Sequence, residues 1–143
     1  MADIALTTAD KISVGTLTVQ QHTFVASSAI TAGAPVYLVA ATGRVAPADA
    51  NGSAPLNTCT GIATRTVAAG EGVTVVRRGI LDGFDLSGLN FGDAVYVSDT
   101  VGRLADAAGT TSIKVGQVWP ANGTELGTTA DKVLLVEVTS DAG

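Results

Sequence analysis

Histidine and cysteine each occur once in these 143 residues, as His22 and Cys59. A single histidine excludes a His-based metal cluster. A single cysteine excludes a disulfide within the chain. The two could in principle form a nucleophile–base pair. However, Cys59 sits in a Thr-Cys-Thr-Gly strand context, and nothing in the sequence brings His22 to it. Cys59 is therefore read as a small buried hydrophobe. Charge is also scarce, at 15% of residues with a net charge of −5. Arg77-Arg78 is the one adjacent basic pair. Phosphate binding needs clustered Lys and Arg, so nucleic acid is not an expected partner. No run approaches the roughly 20 apolar residues of a membrane span, and the first residues, MADIALTTADKI, lack an apolar signal core. Cytoplasmic synthesis with no membrane partner is the expectation.

Bulky side chains are few: one Trp, two Tyr, three Phe and one Met. Hydrophobic residues still make up 46% of the chain, much of it Ala and Val. That apolar mass must be spread over many thin strands. One domain is the prior at this length. A chain of this size buries roughly 68–70% of its unfolded surface, enough for a core without staples.

What the chain does have is a repeat. Residues 33–48 read GAPVYLVAATGRVAPA, and residues 92–107 read GDAVYVSDTVGRLADA, at a constant offset of 59. Gly33/Gly92, Val36/Val95, Tyr37/Tyr96, Gly43/Gly102, Arg44/Arg103, Ala46/Ala105 and Ala48/Ala107 are identical pairs. A second half follows more weakly. Gly61-Ile62-Ala63 matches Gly116-Gln117-Val118 at offset 55, and Val73–Val76 matches Val133–Val136 at offset 60. The difference is read as a five-residue insertion in the loop Trp119–Asp131. One supersecondary unit is thus used twice: a strand, a tight hairpin at the Gly-Arg step, then two further strands.

Turn clusters such as Thr42-Gly43, Asn51-Gly52, Ala69–Gly72, Ser87-Gly88, Val101-Gly102 and Asn122-Gly123 separate short runs rich in Val, Ile, Leu and Thr. That spacing predicts an all-β fold, a small barrel or sandwich. Strands are expected at 12–19, 22–26, 36–39, 59–64, 72–78, 95–98, 113–119 and 132–138. The last, KVLLVEV, is expected to be central. Residues 1–29 form an N-terminal arm with the first strand, and 30–143 a single β domain whose repeats span about 30–81 and 89–138. Residues 1–11 and 139–143 read as tails.

Period-two alternation places Val36 and Leu38 on one face with Tyr37 opposite, and Val95 and Val97 likewise against Tyr96. The tyrosines either close the core or anchor a subunit interface, where tyrosine is enriched. Arg44, Arg103, Arg77 and Arg78 are solvated edge charges or ion-pair partners across an interface. Asp82, Asp85, Asp93 and Asp99 lack the spacing of a calcium loop and read as turn residues. Ala69-Gly70-Glu71-Gly72 lacks the Lys-Ser/Thr of a phosphate loop and reads as a hairpin turn. Asn51-Gly52-Ser53 and Asn122-Gly123-Thr124 match the glycosylation triplet, but without a secretory route they are Asn-Gly turns. No catalytic residue, cofactor site or metal site is predicted.

Five ordered blocks carry a resemblance. They are Ser28–Leu38 with Thr42–Val45, then Gly61–Ala63, Ala69–Val75, Gly79–Asp82 and Leu89–Asp99. In that order the chain, over roughly residues 28–138, resembles the small capsid decoration (cement, head-stabilising) proteins of tailed double-stranded DNA bacteriophages. The resemblance implies an all-β structural protein, not an enzyme, with no cofactor. It implies binding to the outer surface of the expanded shell, with the major capsid protein as partner and a homotrimer on the capsid as the oligomer. It also implies a virion location and an N-terminal arm that orders on the shell.

The alternation in Ile12–Val19 suggests that residues about 3–19 add a strand to a capsid edge. Ile4, Leu6, Ile12, Val14, Leu17 and Val19 are therefore the expected arm contacts. Tyr37, Tyr96, Arg44, Arg77, Arg78 and Arg103 are the expected body contacts. The competing reading is a carbohydrate-binding or fibre-like adhesion module, with Trp119, Phe84, Phe91 and the tyrosines as sugar platforms. A small β-barrel enzyme is the third class, and no acid–base pair or phosphate motif supports it.

Overall fold

The computed structural model describes residues 2–7, 10, 12–14, 19–120 and 132–138. Short apolar runs between turn glycines fold into eleven strands, with no helix among the described residues. They are β1 (Asp3–Ile4), β2 (Ser13–Val14), β3 (Gln20–Val25), β4 (Pro35–Leu38), β5 (Val45–Pro47), β6 (Gly61–Ala63), β7 (Gly72–Asp82), β8 (Ala94–Val97), β9 (Leu104–Ala105), β10 (Lys114–Pro120) and β11 (Lys132–Glu137). All belong to one curled antiparallel sheet.

The repeat is visible in the pairing. In the first copy β4 pairs β5 and β6, and β6 pairs β7. In the second copy β8 pairs β9 and β10, and β10 pairs β11. The register corrects one expectation. Ile62 faces Val76 and Gln117 faces Leu135. Since Ile62 corresponds to Gln117, Val76 corresponds to Leu135, and 135 − 76 = 59. The last strand of each copy thus keeps the offset of the first, not 60. The loop after Trp119 is longer by four residues rather than five (59 − 55 = 4). Identity favours 60, which matches Val73 with Val133 and Val76 with Val136, but the backbone ladder sets 59.

Two glycine pairs explain what the repeat preserves. Gly43 and Gly102 turn the two hairpins at φ of 69° and 72°, a region that favours glycine. Gly61 and Gly116 let neighbouring backbones meet. A Cβ at Gly61 would stand 2.6 Å from the Val76 carbonyl oxygen, and one at Gly116 would overlap that of Leu135.

β7 organises the sheet. Val76 lies between Gln21 and Ile62, and Arg78 lies between Gln20 and Glu137. β6 and β11 therefore follow one another along one edge of β7, while β3 and β2 occupy the other. The β3 register skips Arg77, a bulge that shifts the alternation by one residue. Val73 and Val75 then join Val36, Val45 and Ala63 in one buried cluster. Val76 and Leu81 join Val95, Leu104, Val118 and Leu134 in a second, larger one. β11 is central as expected, paired by both β10 and β7.

The start of the chain departs from expectation. Within the stretch read as a tail, residues 2–7 pair with the body. Asp3–Ile4 lies against Leu104–Ala105, Leu6 bridges Phe84, and the Thr7 amide donates to the Gly83 carbonyl at 2.7 Å. Ile4 is the physical reason: its side chain completes the larger cluster and is only 8% exposed. The expected strand 12–19 is seen at Ser13–Val14; residues 15–18, like 1, 121–131 and 139–143, lie outside the described residues.

Candidate functional site

The expected contact residues divide by environment. From the arm, Ile4 is buried, while Leu6, Ile12 and Val19 are partly buried against the larger core cluster. Val14 is exposed, and Leu17 lies outside the described residues. The described part of the arm is thus paired within its own chain. Adding it as a strand to another protein would mean releasing Ile4 from the core.

Tyr37 and Tyr96 are both half-buried on the central residues of β4 and β8, with Tyr37 packed on the larger cluster. Val95 and Val97 share the buried face opposite Tyr96, as alternation predicts. In the first copy Val36 is buried but Leu38 is exposed. Leu38 ends β4 where the hairpin leaves the core, so the alternation stops paying off one residue early.

Arg44 is exposed on its hairpin, and its backbone amide donates to the Thr42 hydroxyl at 3.3 Å. Arg103 is exposed at the rim of a cleft of about 550 Å³, together with Ile4, Leu6, Phe84 and Val101. At the bulge, the Arg77 Nε donates to the Val138 carbonyl at 3.1 Å. Beside it Arg78 and Glu137 form an ion pair at 3.6 Å, with both side chains more than half exposed. The arginines therefore do not form one patch: two sit on hairpin returns and two at the β7–β11 seam.

The carboxylates hold turns. Asp85 accepts from the amide and hydroxyl of Ser87, Asp93 from the Asn90 amide, and Asp99 from the amide and hydroxyl of Thr110. The Ser87 hydroxyl and amide lower the Asp85 pKa. Glu71 closes the Ala69–Gly72 turn by accepting from the Ala68 amide at 2.6 Å. Among the described residues no three His, Cys, Asp or Glu side chains are grouped as metal ligands. Cys59 is buried, its thiol donating to the Gly61 carbonyl at 3.5 Å. Burial pushes its pKa up to about 12, against the lowering effect of backbone hydrogen bonds at Gly61 and Val36.

Sequence reasoning missed several exposed apolar side chains. Among the described residues, the exposed large apolar side chains are Val14, Val25, Leu38, Phe91, Val101 and Trp119. Val14, Val25 and Leu38 fall within residues 12–43, a run with no Asp, Glu, Lys or Arg. That uncharged run was legible, and surface strands normally carry charge; its exposed residues are spread out, with Val14 paired near one end of β7 and Val25 near the other. Phe91 and Trp119 belong to a different place. Gly92 donates to the Val118 carbonyl, and the Lys132 ammonium stands 5.6 Å over the Phe91 ring. Of the aromatics proposed as sugar platforms, Phe84 is buried at 4% exposure and cannot serve. No family model, curated protein or solved structure matches this chain, so its fold and its surfaces are read from its own residues.

Proposed function

We propose that this protein is a structural component of a phage virion that binds the outer surface of the capsid and cements neighbouring major capsid protein subunits. The observation that carries the reading is the uncharged run 12–43 with exposed Val14, Val25 and Leu38. A surface without ions can be buried on a partner without the cost of stripping water from charges. Groups of the protein as trimers at three-fold positions on the shell would repeat a modest contact and gain avidity. A protein that binds the assembled lattice and not free subunits stabilises the lattice by mass action. The test is to add the protein to expanded, undecorated shells and measure their resistance to heat. The reading requires a higher rupture temperature that saturates with added protein.

The exposed Phe91 and Trp119 favour a second reading, an adhesion module that stacks sugar rings. Titration with host polysaccharide while following Trp119 fluorescence tests it, since no other tryptophan is present.

A further inference from the structure

The two copies of the repeat share a turn but not its surroundings. Thr31–Ala34 and Asn90–Asp93 are equivalent at the offset of 59. The Ala34 amide donates to the Thr31 carbonyl, and the Asp93 amide to that of Asn90. Gly33 and Gly92 hold φ of 84° and 87°, and they donate to the Ala63 and Val118 carbonyls, each at 2.8 Å. In the first copy the turn is covered. A Cβ at Gly33 would stand 3.0 Å from Leu6 and 3.1 Å from Phe84, and Ala32 is 3% exposed. In the second copy a Cβ at Gly92 would meet nothing within 4 Å. Phe91, in the place of Ala32, is 42% exposed.

The covered turn borders the cleft of about 550 Å³. Ile4, Leu6, Phe84 and Val101 give it apolar walls, and Arg103 and Asp10 are its two charged residues. That volume lies within the roughly 300–1,000 Å³ of small-molecule sites and admits an aromatic ring. Among the described residues Arg103 makes no ion pair. Phe91 does not line the cleft of its own chain.

We propose that Phe91 of one copy of this chain seats in this cleft of a second copy. The choice of occupant follows from matched charge as well as shape. Beside Phe91 stand one acid and one base, Asp93 and Lys132, and the Lys132 ammonium lies 5.6 Å over the ring. Backbone contacts hold both in place: Asp93 accepts from the Asn90 amide at 2.9 Å, and Lys132 donates to the Leu89 carbonyl. The cleft offers the complement, Arg103 for Asp93 and Asp10 for Lys132. An aromatic anchor in an apolar pocket with polar groups around it is the arrangement that carries most of the affinity of protein interfaces. The same contact covers Val101, which is 55% exposed in the single chain.

Knob and cleft are different surfaces, so the contact is heterologous. Each copy presents both, and association runs past a dimer into a ring or an open chain. One side chain in one cleft is a contact well below the standard interface of roughly 1,200–2,000 Å², so it forms where copies are concentrated. It goes beyond the capsid reading and is measured on the protein alone, so either can fail without the other.

Sedimentation equilibrium of the full chain up to about 1 mM tests it. The expected result is reversible association whose dissociation constant rises at least about tenfold in Phe91→Ala and in Val101→Glu. Val25→Glu, at an exposed apolar position on β3, should leave it unchanged. Mixing is the decisive step. Phe91→Ala keeps its cleft and Val101→Glu keeps its Phe91, so the two together should form a one-to-one complex and nothing larger. Arg103→Glu replaces Val101→Glu in the mixture if that variant fails to fold. A monomer at every concentration, which would leave the cleft to a different partner, overturns the proposal. So does association unmoved by Phe91→Ala, equal weakening by Val25→Glu, or a mixture that stays monomeric.

Discussion

Gly116 meets the backbone carbonyl of Leu135 so closely that no Cβ fits between them. Gly61 and Val76 repeat the relationship in the first copy. Gly61→Ala and Gly116→Ala are each expected to destabilise the fold by about 3 kcal/mol or more, since backbone cannot move aside as a side chain can. Gly88, with open space around it, is the control, and Gly88→Ala should change stability by less than about 0.5 kcal/mol. Urea unfolding of the three variants measures this.

Cys59 gives a pH prediction with a definite sign. Its folded pKa of about 12 lies above the ordinary thiol value of 9.0, because burial disfavours the thiolate. A raised pKa contributes stability that is present below the unfolded value and lost as pH rises towards the folded one. Stability relative to Cys59→Ala should therefore fall between about pH 9 and 12. Comparing the two proteins cancels the Tyr and Lys titrations common to both. A thiol reagent at neutral pH should label Cys59 only on unfolding.

Ile4 ties the start of the chain to the larger core. Ile4→Ala is expected to cost about 2 kcal/mol, at the low end for a buried isoleucine because β1 is only two residues long. Removing residues 1–19 should cost more, since it takes Ile4 together with the β1 and β2 ladders. Thermal unfolding of both variants reads this directly.

Arg78 and Glu137 form an ion pair in which both partners are largely exposed. A double-mutant cycle on Arg78→Ala and Glu137→Ala should give a coupling of no more than about 1 kcal/mol, falling with added salt. Arg77, whose side chain reaches the Val138 carbonyl, should be the more costly arginine to lose.

Much of the architecture was legible in the chain. The hairpins at Gly43 and Gly102, the buried Val36 and Val95, and the central KVLLVEV strand follow from repeat and alternation alone. Three things did not. Val76 and Leu135 were not aligned, because identity pairs Val76 with Val136 instead, one residue out of the backbone register. The bulge at Arg77 left no turn residue to announce it, yet it turns Leu81 away from the cluster of Val73 and Val75 and into that of Val76. Ile4 and Leu6 alternate over only three residues, too short a run to signal burial. The exposed apolar residues Val14, Val25 and Leu38 were passed over for another reason. Attention to motifs passes over residues 12–43, whose informative property is missing charge.

Co-sedimentation with expanded, undecorated phage shells, counting copies bound per major capsid protein, tests the capsid reading most directly. The account predicts saturable binding near one copy per capsid subunit. No binding to any shell form would contradict it.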